Sequence, residues 1–371
     1  MSLLVYLDQN ILSDLRQRKM EESGVVDFRP FKMALMSEQI VVVYSHVTLS
    51  EIMQITKGEY RQEHIDLLIE LDAKYIDPLE RKLIDVSPSK IWEDYLENEE
   101  LNSDLGITML MDVSQLPSRK LSGLPIEESF YELNTKIQSS LEHLLTKCEA
   151  QLLSVDIDEL NEEQKLFFLR NKMQLDELRA KASVLEPITI NSDQKLGPQS
   201  FRDMPEIKSL DLHNVDFKEV VAIIEATFKV ENSNFNLNDY FDNTMQADVS
   251  RAYALMNWAG YYSDDFTKFK KGKDRFNASM NDMQHVASAL GVDFLISNDV
   301  NFIKKAKACF AYVDSSTVVC EPSYFVDMCS NCLLIFDMLL IQYNSVVLNF
   351  NILKGYEKGI TIFTCDAVLE S

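Results

Sequence analysis

Short apolar runs alternate with helical periodicity at two places in this chain, and neither place is long enough to build a sheet alone. Near the start, Leu3 to Leu7 (LLVYL) reads as a strand, followed by a helix with Ile11, Leu12 and Leu15 on one face. Ile40 to Tyr44 (IVVVY) reads as a second buried strand, and Thr48 to Ile55 restarts the helical period. Far downstream, Met280 to Leu290 reads as a helix, Asp293 to Ile296 (DFLI) as a strand and Asn301 to Ala308 as a short helix. Phe310 to Val313 and Thr317 to Val319 can each supply a further strand. Strand–helix alternation indicates a parallel α/β sheet. One sheet, interrupted by an insertion, accounts for both places.

Between them, from Glu59 to about Tyr262, the pattern is almost entirely helical. Ile126 to Leu153 and Ile157 to Ala182 suggest a helical hairpin; Val215 to Phe228 and Asn238 to Tyr261 look like two further helices. Breaks are expected at Val113 to Pro125 and at Glu186 to Asn214. The expected organisation is a first core half at 1–58, an all-helical insertion at 59–276, a second core half at 277–328 and a C-terminal extension at 329–371. Leu333 to Phe350 is apolar but carries Asp337, Gln342, Asn344 and Asn349. A bilayer span needs roughly 20 mostly apolar residues, so a buried helix or strand pair is expected there and no membrane.

The 371 residues carry 36 Lys and Arg against 59 Asp and Glu, a formal charge of -23. Such a surface repels nucleic acid on average, so any nucleic-acid site must be a local basic patch or a metal-filled pocket. Thr267 to Phe276 (TKFKKGKDRF) is such a patch, with Lys268, Lys270, Lys271, Lys273 and Arg275 among Phe266, Phe269 and Phe276. It can bind a phosphate backbone with bases stacked on the rings, or be a solvated loop anchored by its phenylalanines. Lys304, Lys305 and Lys307 form a smaller cluster that can face phosphate. Six cysteines are too few for a disulfide scaffold, and Cys329-x-x-Cys332 is half a zinc site without a second half. No phosphate-binding glycine loop and no serine or cysteine nucleophile pattern is present. With no basic-then-apolar leader at the start, a reducing, cytoplasmic setting is expected.

Four acids fall where this reading places strand ends. Asp8 follows the first strand (VYLDQN) and Asp299 follows DFLI (FLISNDVNF). Glu51 is expected in the first turn of the helix after the second strand, and Asp282 at the opening of a helix. Functional groups of open parallel sheets collect beyond the carboxyl ends of the strands. Four carboxylates converging there would repel one another unless a divalent cation compensates, and Mg²⁺ or Mn²⁺ prefers such oxygen ligands. Each acid alone can equally be a turn, a helix cap or a complement to a helix dipole. His285 shares a helix face with Asp282, where it can donate a proton, contact substrate or simply pack.

These residues resemble the PIN-domain nucleases, the fold of VapC-type toxins. The resemblance rests on hhhLDxN at Leu4 to Asn10, on Ser50-Glu51, on N-D-x-x-H-x-A-x-A at Asn281 to Ala289 and on h-h-S-N-D-x-x-F at Leu295 to Phe302. It covers residues 1–58 and 277–328. It implies that Asp8, Glu51, Asp282 and Asp299 are the catalytic, metal-binding acids, with Asn10 and Ser297 as supporting polar groups. It implies Mg²⁺- or Mn²⁺-dependent hydrolysis of phosphodiesters, usually in RNA, and by analogy a toxin or defence nuclease held inactive by a partner. The departure is the 231 positions between Glu51 and Asp282, far more than a compact member needs. That insertion can recognise substrate, dimerise or dock a protein. The rival expectation is a non-catalytic PIN-like scaffold whose insertion binds a protein partner.

Overall fold

The computed structural model describes residues 2–17, 29–78, 80–183, 197–228, 244–264 and 275–330. Its strands are β1 (Leu3–Leu7), β2 (Ile40–Tyr44), β3 (Lys74–Ile76), β4 (Leu83–Ile84), β5 (Phe294–Ile296) and β6 (Val318–Cys320). They form one six-stranded sheet in the order β4-β3-β2-β1-β5-β6. Every neighbouring pair is parallel except the β3–β4 edge, so the fold is mixed α/β with a mostly parallel sheet.

Side chains alternate across a strand, and here the alternation divides the core in two. Val5, Leu7, Val42, Tyr44, Phe294 and Ile296 point to one face. There they meet α1 (Gln9–Gln17), α2 (Arg29–Leu35), α3 (His46–Met53), α4 (Gly58–Glu70) and Trp92 of α5 (Pro88–Leu105). Next come α6 (Ile107–Leu121), α7 (Phe130–Leu153) and α8 (Glu162–Ser183), which pack in sequence on one another. After the short α9 (Pro198–Arg202) and α10 (Pro205–Lys208) the chain returns to the sheet. Tyr6, Val43, Leu295 and Val319 face α11 (Val220–Phe228), α12 (Met245–Ala259), α13 (Phe276–Ser288) and α14 (Val300–Tyr312). Leu295, wholly buried, is at the centre of that face. Leu295→Ala is expected to cost about 2–5 kcal/mol in urea unfolding, whereas Leu3→Ala, at a site 39% exposed, changes little.

Several boundaries differ from the sequence expectation. Residues 59–276 are not all-helical: β3 and β4 lie inside them and extend the same sheet. Nor is that stretch separate from the core, because α4, α11 and α12 bury their apolar faces against the strands. The break expected at Val113 to Pro125 is largely helix, since α6 runs through Pro117 to Leu121. Pro117 lies near the end of α6, where it removes a single intrahelical bond. Phe310 to Val313 is the end of α14 rather than a strand. The basic residues Lys268, Lys270, Lys271 and Lys273, and the apolar Leu333 to Phe350, lie outside the described residues. Among the described residues no helix is long and apolar enough to cross a membrane.

Candidate active site

The carboxyl ends of β1 and β5 are stitched together by Asp8 and Ser297. The Asp8 amide donates to the Ile296 carbonyl at 3.0 Å, extending the ladder by one residue. The Asp8 carbonyl then starts α1 by accepting from Ile11 and Leu12. Its carboxylate points into the protein, 2% exposed, where Oδ2 accepts from Ser297 Oγ at 2.8 Å and Asn10 Nδ2 at 3.1 Å. Burial pushes the Asp8 pKa up, with nearby His285 and the Ser297 hydrogen bond pulling it part of the way back. Ser297 Oγ also accepts the Asp299 amide at 3.1 Å. Asn10 and Ser297 therefore both donate to one carboxylate oxygen.

Glu51 lies in the last turn of α3 and Asp282 in the middle of α13, not at helix starts as expected. Neither acid is explained by a helix dipole, because both lie away from an N-terminus. The two helices pack together, and Glu51 Oε1 accepts from Asn281 Nδ2 at 2.9 Å while Oε2 meets His285 Nε2 at 2.8 Å. Burial raises the Glu51 pKa, but the His285 and Asn281 contacts outweigh it and hold it below its ordinary value. His285 is 1% exposed, and its Nδ1 lies 2.7 Å from the Tyr6 hydroxyl, which continues to Ser45 Oγ at 2.7 Å. Burial pulls the His285 pKa down; the oxygens of Tyr6 and Glu51 more than reverse it and push it up. Tyr6→Phe strands His285 Nδ1 in the core and is expected to cost about 1–3 kcal/mol in denaturant unfolding. Tyr131→Phe, at a position 78% exposed, is expected to change stability by less than about 0.5 kcal/mol.

The half-buried Asp282 stands beside a carboxylate the sequence did not single out. Asp264 accepts from Lys305 Nζ at 2.7 Å, Ser279 Oγ at 2.7 Å and Asn257 Nδ2 at 3.1 Å. Lys305 is wholly buried, lies 4.3 Å from the centre of the Tyr253 ring and donates also to Asn257 Oδ1 at 3.0 Å. It therefore does not face phosphate, whereas Lys304 and Lys307 on the other side of α14 are exposed. Burial, then Asp264 and Asp8, push the Asp282 pKa up to about 8, against Lys305 and His285. Asp299 is exposed and caps α14, its Oδ1 accepting from the amides of Asn301 and Phe302 at 2.8 and 3.0 Å. Arg275 precedes α13 as its N-cap residue.

The structure thus brings Asp8, Glu51 and Asp282 into mutual electrostatic reach through His285, with Asp299 in the loop that follows Ser297. Among the described residues, no three His, Cys, Asp or Glu side chains stand close enough to share one ion. The donor set still suits a hard cation: Mg²⁺ commonly takes one or two carboxylates and completes its shell with water and substrate phosphate. Asp8 and Asp282 would supply those carboxylates. No family model, no curated protein and no solved structure matches this chain.

Proposed function

We propose that this protein is a PIN-like, Mg²⁺- or Mn²⁺-dependent endonuclease that hydrolyses phosphodiester bonds, with RNA as substrate. The observation that carries this reading is the pair Asp8, at the carboxyl end of β1, and Asp282 of α13, two carboxyls within electrostatic reach of each other. A bound metal would lower the pKa of a coordinated water and offset charge at the scissile phosphate. Asp8, oriented by Ser297 and Asn10, and Asp282 would hold it. Glu51 has both oxygens engaged, so its part is to hold His285 in place beside the acids. His285 in turn tempers the negative charge of Asp8. Asp299 shapes the entry to α14.

The test is cleavage of end-labelled single-stranded RNA, tRNA and single-stranded DNA by purified protein in Mg²⁺, Mn²⁺ or EDTA. Metal-dependent cutting supports the reading and names the polymer; no cutting by folded, metal-loaded protein removes it. If the enzyme serves as a cytoplasmic toxin or defence nuclease, expression is toxic and Asp8→Asn relieves it.

A second reading, a PIN-like scaffold whose helices dock a protein, draws on a different observation. Among its described side chains helix α8 buries none, and it presents Leu166, Phe167, Leu169 and Met173 to solvent. Absence of cutting, together with a stable complex or self-association lost on Phe167→Asp, would favour it.

A further inference from the structure

Next to Asp299, α14, β6 and the turn before α11 enclose a groove of about 770 Å³. Its walls hold Lys218, Lys304 and Lys307, all exposed. None of the three forms an ion pair among the described residues, whereas Lys32, Lys74, Lys82, Lys90, Lys136 and Lys165 each meet a carboxylate. In a chain of formal charge -23, three lysines against Asp314 and Glu321 on the same groove leave a local excess of one positive charge. Phe217 and Tyr324, 36% and 51% exposed, offer ring faces beside them.

The groove's position ties it to the acids. Val300, the first residue of α14, lines one end directly after Asp299, and Asp314 and Ser315 line the other. A helix of 13 residues spans about 20 Å. Lys304 and Lys307 are three apart, so they stand on the same side of α14, while Lys305 turns inward to Asp264. Lys304 Nζ lies 5.9 Å from the centre of the Tyr262 ring, two positions before Asp264. Strand β6 is an edge strand, so the sheet leaves this side open.

We propose that this groove is the path of a single-stranded polynucleotide, with its phosphates on Lys218, Lys304 and Lys307 and its bases against Phe217 and Tyr324. The strand leaves the acids past Val300 and follows α14. Asp314 and Glu321, also at the groove, repel phosphate and confine the backbone to the lysines. Single strands fit better than duplex because stacking on side chains requires an unpaired base face. This assignment rests on the nuclease reading for its direction, but strand binding can be measured without cleavage.

The experiment is fluorescence anisotropy of labelled 12-nucleotide single-stranded RNA, single-stranded DNA and duplex in EDTA. Wild-type protein is expected to bind the single strands more tightly than the duplex. The triple variant Lys218→Glu, Lys304→Glu, Lys307→Glu is expected to bind at least about 10-fold more weakly, with a salt slope smaller by about 2, as loss of three phosphate contacts requires. Tyr324→Ala is expected to weaken binding about 5-fold or more. A control triple at exposed lysines elsewhere, Lys172→Glu, Lys181→Glu and Lys208→Glu, should retain tighter binding than the groove triple. Equal losses in both triples, or no single-strand binding by wild type, overturn the groove. Groove-dependent binding without Mg²⁺- or Mn²⁺-dependent cutting overturns the nuclease reading and leaves the groove standing.

Discussion

Asp8→Asn is expected to remove metal-dependent cutting, by at least about 100-fold, the scale on which one group stabilising developing charge acts, while the sheet remains folded. The amide keeps the shape of the carboxylate, and its Oδ1 can still accept from Ser297 or Asn10, so the β1–β5 stitch has a means to survive. What it loses is the charge that binds a cation. The measurement is cleavage of the preferred polymer beside a thermal melt of the same preparation. A folded Asp8→Asn protein that still cuts at the wild-type rate would remove Asp8 from the chemistry. Asn10→Ala, which takes away an orienting hydrogen bond only, is expected to retain more activity than Asp8→Asn.

The second large effect is a pH dependence of stability set by Asp282. In an unfolded chain this carboxyl titrates near 4; in the folded protein it is pushed up to about 8. Between those values the native state holds a proton that the unfolded state has released. Stability therefore falls as pH rises from about 4 through 8, and the dependence ends above that window. In EDTA, Asp282→Asn should lose this dependence and melt several degrees above wild type at pH 8.5. Bound Mg²⁺ or Mn²⁺ favours the ionised carboxylate, so it should raise the wild-type melting temperature most at high pH and the variant's least. A wild-type melting temperature that rises between pH 6 and 8.5 in EDTA would contradict the charge surplus around Asp282.

Much of the sheet's centre was legible because its strands are short apolar runs: LLVYL and IVVVY coincide with β1 and β2. Strands β3 and β4 were not, since KYI and LI are too short to show a period and lie among charged residues. Asp8 and Asn10 were legible as a pair because they stand two positions apart, and Ser297, 289 positions from Asp8, because it follows a strand as Asp8 does. Asp264 was not, because its partners Asn257, Ser279 and Lys305 come from α12, α13 and α14 and share no spacing in the sequence. Lys305 could have been separated from Lys304 and Lys307 by helical phase alone: three residues apart means the same face, one residue apart does not. Tyr6 was hidden by its strand, whose apolar pattern accommodates a tyrosine without advertising the hydroxyl that reaches His285.

The position of β1 has a consequence for how the protein comes into being. Its two partners are encoded at opposite ends of the fold, β2 within the first 44 residues and β5 at Phe294–Ile296. At translation rates of about 5–20 residues per second, one flank of β1 waits roughly 15–60 s for its neighbour. Until then an apolar strand is open along its length, a state prone to mispairing, and slow closure is the general fate of contacts so distant in sequence. The same wait acts as a safeguard. Asp8 has no Ser297 to orient it, and no Asp282 beside it, until most of the chain has left the ribosome. On the nuclease reading proposed above, an incomplete copy could not yet cut the RNA from which it is being read.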